Sequence, residues 1–316
     1  MPANSDRKTL MAAVRRDVPE RPGVYTWLDA SGAPLYVGKA VNLRARMLSY
    51  LSPGETAFGA RQRRLAFSLH AFRFRETEGE LLALLLEDAL IKQLWPPYNE
   101  RQKDYLERRY LLLTEDAFPT CLVVEPGSER PGTLYGPFKD RYLAAELLAI
   151  VTDDFGLRAC PDPRPHRRSL RSGLGLCSGP CREAISPESY AEIAARVAAF
   201  LGGDEVWIAE RLHGQVAGAT EALEFERAAD LQSRLDFCGR FAERQRFLGG
   251  FRGGEIEIIE PSSGLIYRFF RAALAAVTRR DGTRVPVPAE VAERPDDPRE
   301  VLDRANVVYD WRRRAG

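Results

Sequence analysis

GVYTWLDASGAPLYVG, from Gly23 to Gly38, constrains the fold of this chain more than any other stretch. Two runs rich in aromatic and β-branched residues, GVYTWL (23–28) and LYVG (35–38), flank DASGAP, a turn-forming run. That pattern predicts a β-hairpin. Glycine weakens a strand unless the backbone must approach something closely, so Gly23 and Gly38 call for a reason. Just beyond the hairpin, Asn42 is placed to cap a helix, LRARMLSYL, that stops near Ser52-Pro53-Gly54. FSLHAFRFRE (67–76) reads as a third strand, and ELLALLLEDALIKQL (80–94) as a helix ended by Trp95-Pro96-Pro97. A small mixed sheet with helices makes residues 1–105 an α+β domain.

The remainder is organised differently. Residues 106–187 form a connector with strand patterns YLLLT and TCLVVE and a helix AAELLAIV, then a Pro/Arg/Gly-rich loop bounded by cysteines. Residues 188–250 are helical, with a break at Leu201-Gly202-Gly203-Asp204. Residues 251–316 carry short strand patterns, EIEIIE and GLIYRFF, and a polar, proline-rich end whose role the sequence leaves open. With 45% apolar residues, a chain of 316 residues has the material for two or three domains. No run of eighteen apolar residues marks a membrane span, and the N-terminus lacks the apolar core of a signal peptide. Five cysteines without a secretory signal point to a reducing, cytoplasmic setting.

The formal net charge of +1 is a cancellation. Residues 1–110 hold 18 Lys/Arg against 13 Asp/Glu, and residues 158–182 hold 6 against 1. These two basic segments are where a polyanion would dock.

Three groups of residues carry chemistry. At about 100° per residue, Glu87 lies on or beside the apolar stripe of its helix, next to Ala83, Leu84, Leu90, Ile91 and Leu94. A buried carboxylate needs compensation from an Arg partner, from protonation or from a metal ion, and Mg2+ often takes only one or two protein carboxylates. Tyr25 and Tyr36 are either ordinary sheet aromatics or phenols tuned by the cations that follow, Lys39, Arg44 and Arg46. The only histidines are His70, His166 and His213, none near these motifs, which argues against a His-based nuclease or zinc peptidase. Finally, Cys160, Cys177 and Cys181 cluster in the arginine-rich loop, either as a metal tether or as plain packing groups.

Taken together, Gly23-Val24-Tyr25 and Tyr36-Val37-Gly38 resemble the signature of the GIY-YIG nucleases, with two mild Ile-to-Val departures. YVGKAVNLRARMLSYL, ALLLEDALIKQLWPPYN, YGPF (135–138), LCSGPC (176–181) and LEFERAADLQSRL (223–235) resemble, in order, stretches of the UvrC branch of that family. The architecture is closest to the short UvrC-like nuclease Cho. The resemblance covers roughly residues 20–247. It implies an α+β fold with a GIY-YIG domain, a Cys/Arg-rich DNA-binding region and a helical hairpin domain. It implies a catalytic set of Tyr25, Tyr36, Lys39, Arg46, Tyr50 and Asn99, with Glu87 as ligand of Mg2+ or Mn2+. Tyr36, with Lys39 nearby, is the expected general base, and Tyr25 would hold the phosphate or the water; the two phenol roles are interchangeable at this level.

The same resemblance implies DNA contacts by Arg44, Arg164, Arg167, Arg168 and Arg171. Four cysteines ligate an iron–sulfur cluster in this region of UvrC. Here one falls at Ser169, and His166 is the nearest substitute, so Cys160, His166, Cys177 and Cys181 form a candidate set for a cluster or for Zn2+. LEFERAADLQSRL would serve either as a plain helical hairpin or as a docking element for UvrB. The function implied is one incision per chain, 3′ to a lesion in double-stranded DNA, by a cytoplasmic monomer working with UvrB and, indirectly, UvrA. A structure-specific nuclease independent of UvrB and a non-catalytic UvrB- or DNA-binding regulator are the rivals. The UvrB-docking reading of LEFERAADLQSRL argues against the first and the intact residue set against the second.

Overall fold

The structure is a computed structural model that describes residues 4–52, 60–100, 103, 108–125, 130–138, 141–160 and 170–315. In chain order its elements are α1 (Asn4–Asp17), β1 (Gly23–Leu28), β2 (Pro34–Ala40), α2 (Leu43–Leu51), α3 (Ala60–Ser68), β3 (Ala71–Glu76) and α4 (Glu80–Leu94). There follow β4 (Arg109–Thr114), β5 (Cys121–Val124), β6 (Gly132–Phe138), α5 (Arg141–Asp153), α6 (Leu170–Gly173), α7 (Pro187–Gly202), α8 (Val206–Glu221) and α9 (Phe225–Gly253). The chain closes with β7 (Glu255–Ile259), β8 (Ile266–Phe270), β9 (Ala273–Thr278), β10 (Arg284–Val285), α10 (Ala289–Ala292) and α11 (Pro298–Ala315). Two compact units result: Met1–Tyr105 with Phe251–Gly316, and Leu106–Gly250.

In the first unit the expected hairpin forms the antiparallel sheet β2-β1-β3. Tyr25 pairs with Gly38, and Trp27 with Tyr36. Every residue of the central strand β1 is buried. Strand alternation sends Tyr25 and Trp27 into an apolar cluster with Leu43, Met47 and Tyr50 of α2, backed by Leu10 and Val14 of α1. Asn42 caps α2 as expected, accepting from the Ala45 N–H at 2.9 Å. Helix α3 extends to Ser68, so β3 starts at Ala71 rather than at residue 67.

The C-terminal segment belongs to this same unit. It adds a second antiparallel sheet, β10-β9-β8-β7, and the helix α11. The sequence end looks polar, yet Val301, Ala305, Val308 and Tyr309 recur at helical spacing and are buried. Lys92 of α4 bridges to Asp303 of α11 at 2.8 Å, with both side chains buried.

The second unit holds the antiparallel sheet β5-β4-β6, in which YGPF forms the end of an edge strand. Leu111, Phe138, Leu147, Val197, Phe200 and Phe241 are among the residues that tie this sheet to the helices. The helical break at 201–204 is present: Gly203, at φ 111°, ends α7, a conformation that suits glycine. A second break, at Ala222–Glu224, separates α8 from α9 and leaves Leu223 and Phe225 exposed at the tip of a helical hairpin.

Candidate active site

The site is built on the hairpin and α4. Tyr25, Tyr36 and Tyr50 form a triangle of rings with centroids 6.0–6.1 Å apart, and Trp27 packs edge-on against Tyr25 and Tyr50. The Tyr25 hydroxyl donates to the Tyr50 hydroxyl at 3.3 Å. Arg46, one helical turn before Tyr50, donates from Nη2 to the Tyr50 hydroxyl at 3.4 Å and lies over its ring at 5.2 Å. Tyr25 and Tyr50 are buried, whereas Tyr36 is half-buried.

The signature glycines owe their presence to this packing. A Cβ on Gly38 would stand 2.5 Å from the Tyr25 hydroxyl, and one on Gly23 would stand 2.2 Å from the Arg75 carbonyl oxygen. Both glycines therefore admit close approach, as the hairpin pattern suggests, but the approaching group belongs to the protein itself.

β2 is an edge strand, and an edge strand leaves alternate N–H groups unpaired. Two of them are capped from α4 and the loop after it. The Lys39 N–H donates to Glu87 Oε1 at 2.9 Å, and the Val37 N–H donates to Asn99 Oδ1 at 2.8 Å. Asn99 returns a bond from Nδ2 to the Val37 carbonyl, also 2.8 Å. Asn99, 2% exposed, thus clamps the strand that carries Tyr36 rather than facing solvent.

Electrostatics revise one expectation. Lys39 does not tune the phenols: its ammonium is bound to Glu80 Oε1 at 2.7 Å, and that bond holds the Glu80 carboxyl below its ordinary value. Burial, then the neighbouring Tyr50, pushes the Tyr36 phenol far above the usual tyrosine range. Tyr25 is raised for the same reasons. Both are therefore protonated at rest. Arg46 is the cation among them. Burial works against its charge, but the phenol oxygens of Tyr50, Tyr25 and Tyr36 outweigh it and raise the guanidinium above its ordinary value.

Glu87 is 7% exposed, and burial pushes its carboxyl up to about 7, against the pull of the Lys39 N–H and of the Lys39 and Arg46 charges. Its Oε1 is fixed by Lys39, and Oε2 accepts no hydrogen bond from the described residues. A single oriented carboxylate with one oxygen unengaged fits a hard divalent cation that keeps most of its water shell.

Other expected residues are placed elsewhere. Arg44 is committed to its own domain, donating to the Val18 carbonyl and to Glu20, both at 2.7 Å. Arg171 pairs with Asp153 and also donates to the Leu176 carbonyl at 3.4 Å. Neither is offered as a free phosphate contact. Arg164, His166, Arg167 and Arg168 lie outside the described residues. Cys160, Cys177 and Cys181 are free thiols, and among the described residues no group of three His, Cys, Asp or Glu side chains is arranged to hold a metal. Burial is the main cause raising the Cys177 thiol. The cluster or zinc site is thus not assembled by the described part of the loop. The sequence reading missed Glu80 as the partner of Lys39. An acidic residue in the first turn of the Glu87 helix was the available signal.

Residues 21–100 match the family described as the UvrC-like GIY-YIG domain, and residues 109–200 match the UvrC/Cho excinuclease middle domain. The chain belongs to the UvrC/Cho-like family of GIY-YIG nucleases. Relatives of this UvrC/Cho-like chain include the UvrABC system protein C of Ectopseudomonas mendocina, 34% identical over 76% of this chain and 39% of that protein. That of Hahella chejuensis is 36% identical over 78% of this chain and 40% of its own length. That of Natronomonas pharaonis is 33% identical over 90% of this chain and 50% of its own length. The UvrC/Cho-like chain thus spans half or less of these three relatives. Among solved structures, the GIY-YIG N-terminal endonuclease domain of UvrC from Thermotoga maritima, bound to its catalytic divalent cation magnesium, is 32% identical. It covers 30% of this chain and 97% of its own, with a TM-score of 0.25. No described helix of the UvrC/Cho-like chain is long and apolar enough to cross a membrane.

Proposed function

We propose that this chain is a divalent-cation-dependent DNA endonuclease that hydrolyses a phosphodiester on the 3′ side of a lesion, working with UvrB in nucleotide excision repair. The observation that carries the reading is the convergence of three phenols, the Arg46 guanidinium and the Glu87 carboxylate on the edge strand β2. The relatives are excision-repair proteins of the UvrABC system, and the solved UvrC domain holds magnesium, which supports extending substrate, partner and cation to this chain.

Glu87 would hold Mg2+ or Mn2+, which supplies Lewis-acid stabilisation of charge on the scissile phosphate when bound. Arg46 faces the same charge with a guanidinium fork that needs no reorganisation, since the Tyr50 ring and hydroxyl already orient it. The half-buried Tyr36 is the phenol a substrate can meet, which favours it over Tyr25 for contact with the attacking water. Its proton is held tightly at rest, so Tyr36 would serve as base only after cationic charge lowered its phenol and its own proton passed to solvent; the phenolate would then take the proton of the attacking water. Tyr25, through Tyr50, fixes the phenol network from below. Asn99 and Lys39 hold β2 in place, Asn99 by its clamp on Val37 and Lys39 through Glu80 and Glu87.

The test is Glu87→Gln on a lesion-bearing duplex with Mg2+, with and without UvrB. Cleavage is expected to fall at least about a hundredfold, roughly 2.7 kcal/mol of barrier, with DNA affinity kept. Cleavage within threefold of the parent would refute the metal assignment, and full cleavage without UvrB would favour the independent nuclease.

A further inference from the structure

Glu260 is the most completely buried carboxylate among the described residues, with 0% exposure, and it lies in the C-terminal segment, far in sequence from the site. Its Oε1 accepts from the Glu80 N–H at 2.7 Å and the Leu81 N–H at 3.2 Å. Its Oε2 accepts from the Ser263 hydroxyl at 2.5 Å and the Tyr267 hydroxyl at 3.0 Å. The two N–H groups belong to the first turn of α4, where a helix has no partners of its own and where negative charge is favoured. The residue at the local N-cap, Gly79, supplies no side chain. A Cβ there would stand 2.2 Å from Glu260 Oε2 and 2.3 Å from the Tyr267 hydroxyl. Gly79 makes no side-chain cap bond, and a carboxylate from 180 residues away takes that role.

That cap is continuous with the site. Glu260 holds the backbone of Glu80, Glu80 holds the Lys39 ammonium at 2.7 Å, and the Lys39 N–H holds Glu87 Oε1 at 2.9 Å. Arg279, on the turn after β9, bridges to Glu78 at 2.5 Å just before α4, so the same segment grips the helix start twice.

We propose that Glu260 is a positioning residue for catalysis: it caps α4 from the C-terminal sheet and sets the Glu80–Lys39–Glu87 chain that presents the Glu87 carboxylate to a divalent cation. The proposal rests on the reading of Glu87 as the cation ligand. Residues that orient metal ligands from behind commonly cost as much as tenfold or more in metal affinity when removed.

The experiment titrates Mn2+ into the full chain without DNA and follows amide exchange in α4. In Glu260→Ala, Mn2+ affinity is expected to fall about tenfold, and the Glu80 and Leu81 amides to lose their protection. Glu260→Gln, whose carboxamide oxygen accepts the same N–H groups, is expected to stay within about threefold of the parent. A role confined to folding would lower the melting temperature of Glu260→Ala and leave Mn2+ affinity within twofold, which overturns the proposal. Glu87→Gln run in parallel separates the two readings. Unchanged Mn2+ binding in that variant removes the cation site and the proposal with it. Lost binding there beside intact binding in Glu260→Ala removes the positioning role alone. Should Glu260→Ala fail to fold, Tyr267→Phe decides. Affinity about threefold weaker supports the role, and unchanged affinity overturns it.

Discussion

Glu87 is held in a place that penalises its charged form, and that penalty is measurable. Its carboxyl rests at about 7 in the folded protein against an ordinary value of 4.5, with burial as the main cause. A carboxyl raised on folding stabilises the fold fully below its unfolded value, and that contribution is lost as pH rises through the folded value. The window is therefore 4.5 to about 7, and the loss is about 3 kcal/mol. Denaturant titrations of the cation-free protein are expected to show falling stability across that window relative to Glu87→Gln, which lacks the titration. Above pH 7 Glu87→Gln should be the more stable protein and the inactive one. Mn2+ should restore the parent's lost stability, and its affinity should weaken about tenfold per pH unit below the folded value, where protons compete for the carboxylate. A flat difference between parent and Glu87→Gln would show that the carboxyl is not strained. At Tyr36 the expectation runs the other way. Tyr36→Phe keeps the ring in its triangle and removes only the hydroxyl, so single-turnover cleavage should fall about a hundredfold with Mn2+ affinity and DNA binding unchanged. Full activity would move proton transfer to Tyr25 or to solvent.

Helix α4 works on two sides. Glu87 leads to β2, while its neighbour Asp88 turns to the C-terminal segment, where Lys92 bridges Asp88 at 2.7 Å and Asp303 at 2.8 Å. All three side chains are 8% exposed or less. Burial works against the Lys92 charge, yet the two carboxylates keep it an ammonium. Lys92→Met would remove the ammonium that bridges the two buried carboxylates, Asp88 and Asp303. The expected cost is about 3–5 kcal/mol, read as a lower midpoint in urea. A loss under about 1 kcal/mol would mean the triad is solvated. The α8–α9 hairpin is the opposite case. Phe225 at its tip is 65% exposed, so Phe225→Ala should leave the midpoint unchanged while weakening UvrB capture in a titration. Equal capture would reduce the hairpin to an intradomain element.

At the scale of the whole molecule, the candidate site depends on chain segments that the sequence presents as separate. Helix α4 has buried residues on nearly every side, from Leu81 to Ile91, so the sheet β2-β1-β3 cannot cover it alone. Its other cover comes from α10, α11 and the second sheet, joined by the Glu260 cap, the Lys92–Asp303 bridge and the Arg75–Glu290 pair at 2.6 Å. Deleting residues 251–316 should therefore abolish cooperative unfolding of the first unit and expose α4 to limited proteolysis, and a deletion variant with the parent's melting curve would contradict this. What the residues specify before folding is local. The hairpin, the Asn42 cap and the helix carrying Glu87 follow from turn residues and apolar period, and the resemblance to the GIY-YIG signature is what implies that Tyr25, Tyr36, Arg46, Tyr50 and Glu87 act together. Tertiary structure alone decided where charge goes. It gave Lys39 to Glu80 instead of to the phenols, turned Asn99 into a clamp on β2, tied Arg44 to Val18 and Glu20, and brought Glu260 to α4. Period and propensity act over a few neighbouring residues, but a salt bridge or a cap is settled by which groups burial leaves without water, and burial is a property of the packed chain.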